Sequence, residues 1–195
     1  VKLGVLLPTR GLLLADSAPS NANLVLDLAQ KVEESGLDSV WVGDSLTAKP
    51  RLEPLSILAA IAARTTRVQL GTAVLLMALR HPLLLAQTLG TVDLISQGRL
   101  LIAAGIGGAF NDEQKQEWQI VGVEATQRAS RLEEMLQIVK GLNRGEQFSF
   151  QGRHFEMESV VMRPHSVQNG GVPILLACHG RSKVREVQIR RAARW

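Results

Sequence analysis

Four short groups of residues carry side chains that could do chemistry. Trp41-Val-Gly-Asp44-Ser45 places a carboxylate and a hydroxyl just past an apolar run. An acid there either caps a turn or handles protons at a ligand. Arg80-His81 stands directly before Pro82. Arg80 reads equally as an anion or substrate contact and as part of a polar loop; His81 reads better as a residue near a helix cap. Gly105-Ile-Gly107-Gly108 closes another apolar run and could let backbone approach a flat ligand or a phosphate. It lacks the third glycine of a dinucleotide fingerprint, and Phe110-Asn-Asp-Glu-Gln after it opens no apolar helix. Glu124 stands near the distance of a ribose-binding acid, but outside that context. Cys178-His179-Gly180 pairs a thiol with an imidazole, yet neighbours on extended chain point to opposite faces and make a poor dyad.

Other polar residues read as structural. Glu124, Arg128, Arg131 and Glu134 have the spacing of a salt-bridged helix face. His154 and His165 have no partners at metal-ligand spacing, so no metal site is expected.

The elements that must position these groups alternate. Apolar runs at Leu3–Leu7, Ser39–Gly43, Val68–Leu76, Leu100–Ala104 and Val172–Ala177 predict five strands, all of them buried. Helical spacing predicts helices over Asn23–Ser35 (through Leu24, Leu28 and Val32), Pro54–Arg64, Pro82–Ile95, Gln127–Leu142 and Arg181–Arg194. Gln97-Gly98 reads as a turn, Phe148–Glu158 as a hairpin about Gly152, and Asn111–Thr126 as an irregular functional loop. Strands apolar on both faces with helical crossovers mean a parallel sheet. An open doubly wound sheet and a (β/α)8 barrel both satisfy that. A barrel needs eight units and roughly 250 residues, so 195 residues favour the open sheet on length alone.

Composition narrows the class further. Apolar residues make up 46% and charged ones 21%, an ordinary globular balance for one domain. The single Cys178 excludes an internal disulfide and fits a reducing compartment, so a cytoplasmic protein is expected. No apolar run is long and unbroken enough for a membrane span. The net charge of +4 is local: residues 181–195 hold six basic side chains against one acid, leaving 16 basic and 17 acidic elsewhere. No aromatic stacking pattern accompanies them. A solvated amphipathic helix with Val184 and Val187 or Ile189 inward is expected there, and nucleic-acid binding is not.

Taken in order, Val40-Trp-Val-Gly-Asp44, Leu70-Gly-Thr-Ala-Val74, Arg80-His-Pro82, Thr91-Val-Asp93, Ser96-Gln-Gly-Arg99 and Gly105-Ile-Gly-Gly108 resemble the bacterial luciferase-like monooxygenase family. Arg128–Glu134, Phe150-Gln-Gly152 and Pro173-Ile-Leu-Leu-Ala-Cys-His-Gly180 are consistent with it. The resemblance implies a TIM barrel and so reverses the length argument. It makes 1–195 one luciferase-like barrel domain of about five βα units, C-terminally truncated. It implies reduced FMN or coenzyme F420 across the carboxyl ends of the strands. The ring would rest on a bulge with a cis peptide at Ala73–Val74, flanked by Thr72. Asp44, Gly105, Gly107 and Gly108 would stand at the rim, and Cys178, His179 and Gly180 near the cofactor's tail.

Two departures stand out. Asp44-Ser45-Leu46 occupies the place where many members carry histidine, and no arginine lies near Gly107 in the sequence to hold a phosphate. Asp44 and Arg80 are the catalytic candidates. The expectation is a cytoplasmic oxidoreductase or monooxygenase acting on a small organic substrate, homodimeric and supplied by a flavin or F420 reductase. One alternative is an inactive truncated flavin-binding or structural relative that completes its sheet by dimerising. Another is a doubly wound NAD(P)-binding domain.

Overall fold

The structure, a computed structural model, describes residues 1–14, 21–178 and 186–194. Its chain runs β1 (Gly4–Leu6), α1 (Gly11–Leu14), α2 (Asn23–Glu34), β2 (Ser39–Val42), α3 (Pro54–Arg64) and β3 (Gln69–Leu75). A 3-10 turn (Met77–Leu79) leads into α4 (Pro82–Ser96), β4 (Leu100–Ala104), α5 (Asp112–Ile120) and α6 (Arg128–Leu142). An antiparallel hairpin, β5 (Phe148–Gln151) and β6 (Glu156–Val160), precedes β7 (Ile174–Leu176) and α7 (Glu186–Arg194).

Local chemistry explains the element ends. α3 and α4 each begin on a proline, whose missing N–H has no helical partner to lose. Glu53 caps α3 by accepting the Ser56 N–H, and His81 Nδ1 accepts the Leu83 N–H at the start of α4. Gln97 and Gly98 end α4 in left-handed conformation, with φ of 55° and 81°.

The parallel sheet has the order β1-β2-β3-β4-β7, with neighbours in chain order throughout. A doubly wound sheet reverses its order at a switch point; this one does not, which overturns the doubly wound alternative and its NAD(P) site. Right-handed crossovers in an unreversed order put the crossover helices on one face. The helices accordingly pack in sequence, α2 on α3, α3 on α4 and α4 on α6. Val40, Val42, Leu70, Leu100, Ile102 and Ala104 face that layer and are buried. The other face carries Leu6, Trp41, Gly71 and Leu101 in one cross-strand row, with Ala73, Ala103 and Leu175 in the next. Leu6 is 59% exposed and Leu175 51%, so this inner face is open.

Several sequence expectations are corrected. β1 and β7 are edge strands with partly exposed residues instead of core strands, because each has a neighbour on one side alone. In α2 the buried face is Val25, Leu26, Ala29 and Val32, while Leu24 points out. The stretch expected as an irregular loop contains α5, capped by the Asn111 side chain accepting the Gln114 N–H. Among the described residues no ion pair joins Glu124, Arg128, Arg131 and Glu134. Arg128 and Arg131 bond carbonyl oxygens, Glu134 takes the N–H groups of Arg153, His154 and Phe155, and Glu124 precedes the helix. Ile189 is exposed, not inward. Val184 lies outside the described residues, as do His179 and Gly180.

Candidate functional site at the carboxyl ends of the strands

The floor of the site is small and flat. Trp41 lies across the inner face, its ring filling the space a side chain at Gly71 would need, and its Nε1–H donates to Ser39 Oγ at 2.9 Å. Further along β3, Ala73 is exposed and its cross-strand partner Ala103 half-buried. The register shifts between Ala73 and Leu75, and the Ala73–Val74 peptide is cis, as the family resemblance implied. A bulge re-aims backbone away from the ladder. Here it leaves a shelf of two alanine methyls at the tips of β3 and β4. Thr72 does not face this shelf: it is fully buried, and its hydroxyl staples β3 to β4 through the Ala103 carbonyl (3.0 Å) and N–H (3.1 Å).

The rim comes from the loop after β4. Gly105 is bonded back to the Leu75 carbonyl, and a side chain there would strike Val74. Gly107 has φ of 79° and sits against the Trp118 ring, so both conformation and space favour glycine. Trp118 Nε1 donates to the Gly108 carbonyl at 2.8 Å, tying the loop to α5. Arg128 Nε reaches the Gly107 carbonyl at 3.4 Å. An arginine therefore does lie beside Gly107 in space, brought back by the start of α6, although none is near in sequence. Cys178 is exposed just past β7.

The two catalytic candidates meet each other. Arg80 donates to both oxygens of Asp44, at 2.5 and 3.1 Å, and to Glu53 Oε1 at 3.1 Å. Asp44 Oδ2 also accepts the Leu76 N–H at 2.8 Å. Burial lowers the affinity of Arg80 for its proton; Asp44 and Glu53 more than offset this and hold the guanidinium above its usual range. The pair ties the loop after β2 to the loop after β3. His81 is a helix cap, which agrees with the structural reading of it.

Two residues outside the sequence candidates shape the mouth. Glu117 on α5 is 3% exposed, and its Oε1 accepts Ser45 Oγ–H and the N–H groups of Leu46, Thr47 and Ala48. It clamps the loop after β2. Arg51 lays its guanidinium against Gly43, where a side chain at Gly43 would stand. The Asn111 cap with Asp112 and Glu113 behind it was the one readable signal for α5; nothing local marks Glu117 or Arg51.

A parallel sheet in chain order, with its crossover helices on one face and a small-residue shelf at the strand tips, defines part of a (β/α) barrel. Residues 1–195 match the luciferase-like monooxygenase family along their whole length, and the chain belongs to that family. It is similar to the F420-dependent glucose-6-phosphate dehydrogenase of Kineococcus radiotolerans, 34% identical over 163 residues, 79% of this chain and 46% of that protein. The enzyme of the same name from Nocardia farcinica is 33% identical over 165 residues, 80% of this chain and 47% of its own. The chain thus spans about half the length of these relatives. Among solved structures, the monooxygenase RslO1 from Streptomyces bottropensis superposes with a TM-score of 0.77 at 26% identity, covering 91% of this chain and 54% of its own. The F420-dependent tetrahydromethanopterin reductase from Methanopyrus kandleri gives 0.72 at 20%, covering 92% and 51%, a likeness of fold. Both neighbours are TIM-barrel enzymes.

Proposed function

We propose that this chain forms the cofactor floor of an oxidoreductase that uses coenzyme F420 or reduced FMN on a small organic substrate. The observation that carries the reading is the bare shelf of Ala73 and Ala103 on the inner face at the carboxyl ends of β3 and β4. A planar ring can lie on two methyl groups and on the backbone of the bulge; a larger side chain at either position would hold it off. When bound, such a cofactor supplies hydride transfer in the deazaflavin form or oxygen activation in the flavin form.

The chain's own residues bind and orient. Ala73 and Val74 support the ring's face, and Thr72 holds their backbone by stapling β3 to β4. Gly105, Gly107 and Gly108 form the rim, kept in place by Trp118. Cys178, exposed just past β7, is proposed to face the cofactor's tail, and the family resemblance alone assigns His179 and Gly180 to the same role. Asp44 and Arg80 act by fixing the two loops that wall the mouth. F420 is the favoured cofactor, because the two relatives described above carry it in their names. With FMN or with F420 used as a reductant, a separate flavin or F420 reductase would supply the reduced form, whereas substrate oxidation would start from oxidised F420. A second copy of this chain is the partner proposed for the open face.

Purified protein tests the reading directly. A colour at about 450 nm, where oxidised flavins absorb, or saturable uptake of added FMN or F420 is expected. A colourless protein that takes up neither would sink the enzyme reading and leave the structural alternative.

A further inference from the structure

The described residues contain three buried side-chain atoms with no hydrogen-bond partner: Thr9 Oγ1, Arg51 Nε and Asn143 Oδ1. Asn143 follows α6. The other two belong to the loops after β1 and β2, whose backbones are joined beside them by the Leu52 N–H on the Thr9 carbonyl at 3.4 Å. Native interiors rarely leave such groups unmet, and a bound ion or water molecule commonly satisfies them.

Arg51 is also placed on the working side of the sheet. Ser39 and Trp41 face inward along β2, as the Trp41 ring over Gly71 shows. Carrying the alternation one step past Val42 turns Gly43 inward as well. The Arg51 guanidinium occupies the space of Gly43's absent side chain. It therefore stands on the inward side of the loop after β2, against Gly43, the residue before Asp44.

Among the described residues no acid answers its charge. Asp44 gives both oxygens to Arg80 and one of them also to the Leu76 N–H. Glu53 gives one oxygen to Arg80 and the other to the Ser56 N–H. Arg80, the cation that the sequence singles out, is thus saturated; Arg51 is not. What remains open is a guanidinium fork and a buried hydroxyl, both able to donate. A planar or tetrahedral oxyanion matches that set.

We propose that Arg51 and Thr9 form an anion subsite in the mouth that takes a carboxylate or phosphate group of the substrate. The assignment to substrate rests on the oxidoreductase reading above. A side chain at Gly43 would push the flexible guanidinium out of this position.

The test titrates the protein with inorganic phosphate and with acetate by calorimetry, at ionic strength held constant with chloride. Saturable binding is expected, weakened at least tenfold in Arg51→Gln and about threefold or more in Thr9→Val. Circular dichroism checks folding, and Thr9→Val, close in shape to the parent, keeps the test open should Arg51→Gln fail to fold. FMN and F420 titrations of the same proteins form a second arm, expected to be unchanged by either variant. Absent or unsaturable anion binding in the parent, or equal affinity in all three proteins, overturns the subsite. Loss of FMN or F420 affinity in step with phosphate affinity would overturn the substrate assignment, since the group held would be the cofactor's. Phosphate binding without cofactor binding would leave the subsite standing and remove the oxidoreductase reading instead.

Discussion

Asp44 has a side chain 1% exposed and Arg80 one 15% exposed, so their ion pair is largely desolvated. Removing one partner of such a pair strands the other, at a cost of about 3–5 kcal/mol. Asp44→Asn is expected to lower the urea-derived stability by that order; a cost below about 1 kcal/mol with catalysis abolished would show proton handling instead. Glu53 responds to pH. Burial raises its carboxyl, but the Ser56 N–H and hydroxyl and the Arg80 guanidinium outweigh that and hold it below the usual carboxylate range. A carboxyl depressed in the folded state stabilises fully above its unfolded value and loses that contribution as pH falls through the folded one. Stability should therefore fall as acid is added below the ordinary carboxylate range, and Glu53→Gln should flatten that limb of a urea-midpoint profile. Neither interaction is visible in sequence, because Asp44 and Arg80 lie 36 positions apart and the acids could equally have met solvent.

At the scale of elements, the segment from β3 through β4 was the most legible. Two strands apolar on both faces, a proline at the first turn of α4 and the Gln97-Gly98 stop mark its parts by local chemistry alone. α5 was missed because its composition is polar and its buried residues, Glu117 and Trp118, act across more than seventy positions or back on a glycine carbonyl. The faces of the edge strands were misread because burial depends on neighbours that a strand's own residues do not specify. One close approach tests the packing of α4. A side chain at Gly90 would stand 2.6 Å from the Pro164 carbonyl oxygen. Backbone cannot yield as a flexible side chain can, so Gly90→Ala should destabilise by about 1–3 kcal/mol despite the better helix propensity of alanine. Thermal melts of the pair would show it; an unchanged or raised Tm would mean the 164–165 segment moves aside freely.

For the whole molecule, the helix layer of the described residues buries one face of the sheet, while Leu6, Leu101 and Leu175 lie on the other face, bounded by two strands that each pair, among those residues, on one side. Open edges and apolar faces promote pairing with another chain. Sedimentation should detect self-association, and Leu175→Arg should shift it toward monomer; a monomer at every concentration would remove the second copy as partner. Among the described residues no helix is long and apolar enough to cross a membrane. The family was legible from short motifs because their residues occupy the strand tips and turns, where backbone shape leaves few alternatives. A flavin-type ring resting on the Ala73 and Ala103 shelf would be felt in a fluorescence titration of the protein and of Ala73→Leu with FMN and F420. Ala73 is exposed, so the variant should fold normally while binding at least tenfold more weakly. Equal affinity in the two proteins, or no saturable binding of either cofactor by the parent, would contradict the account.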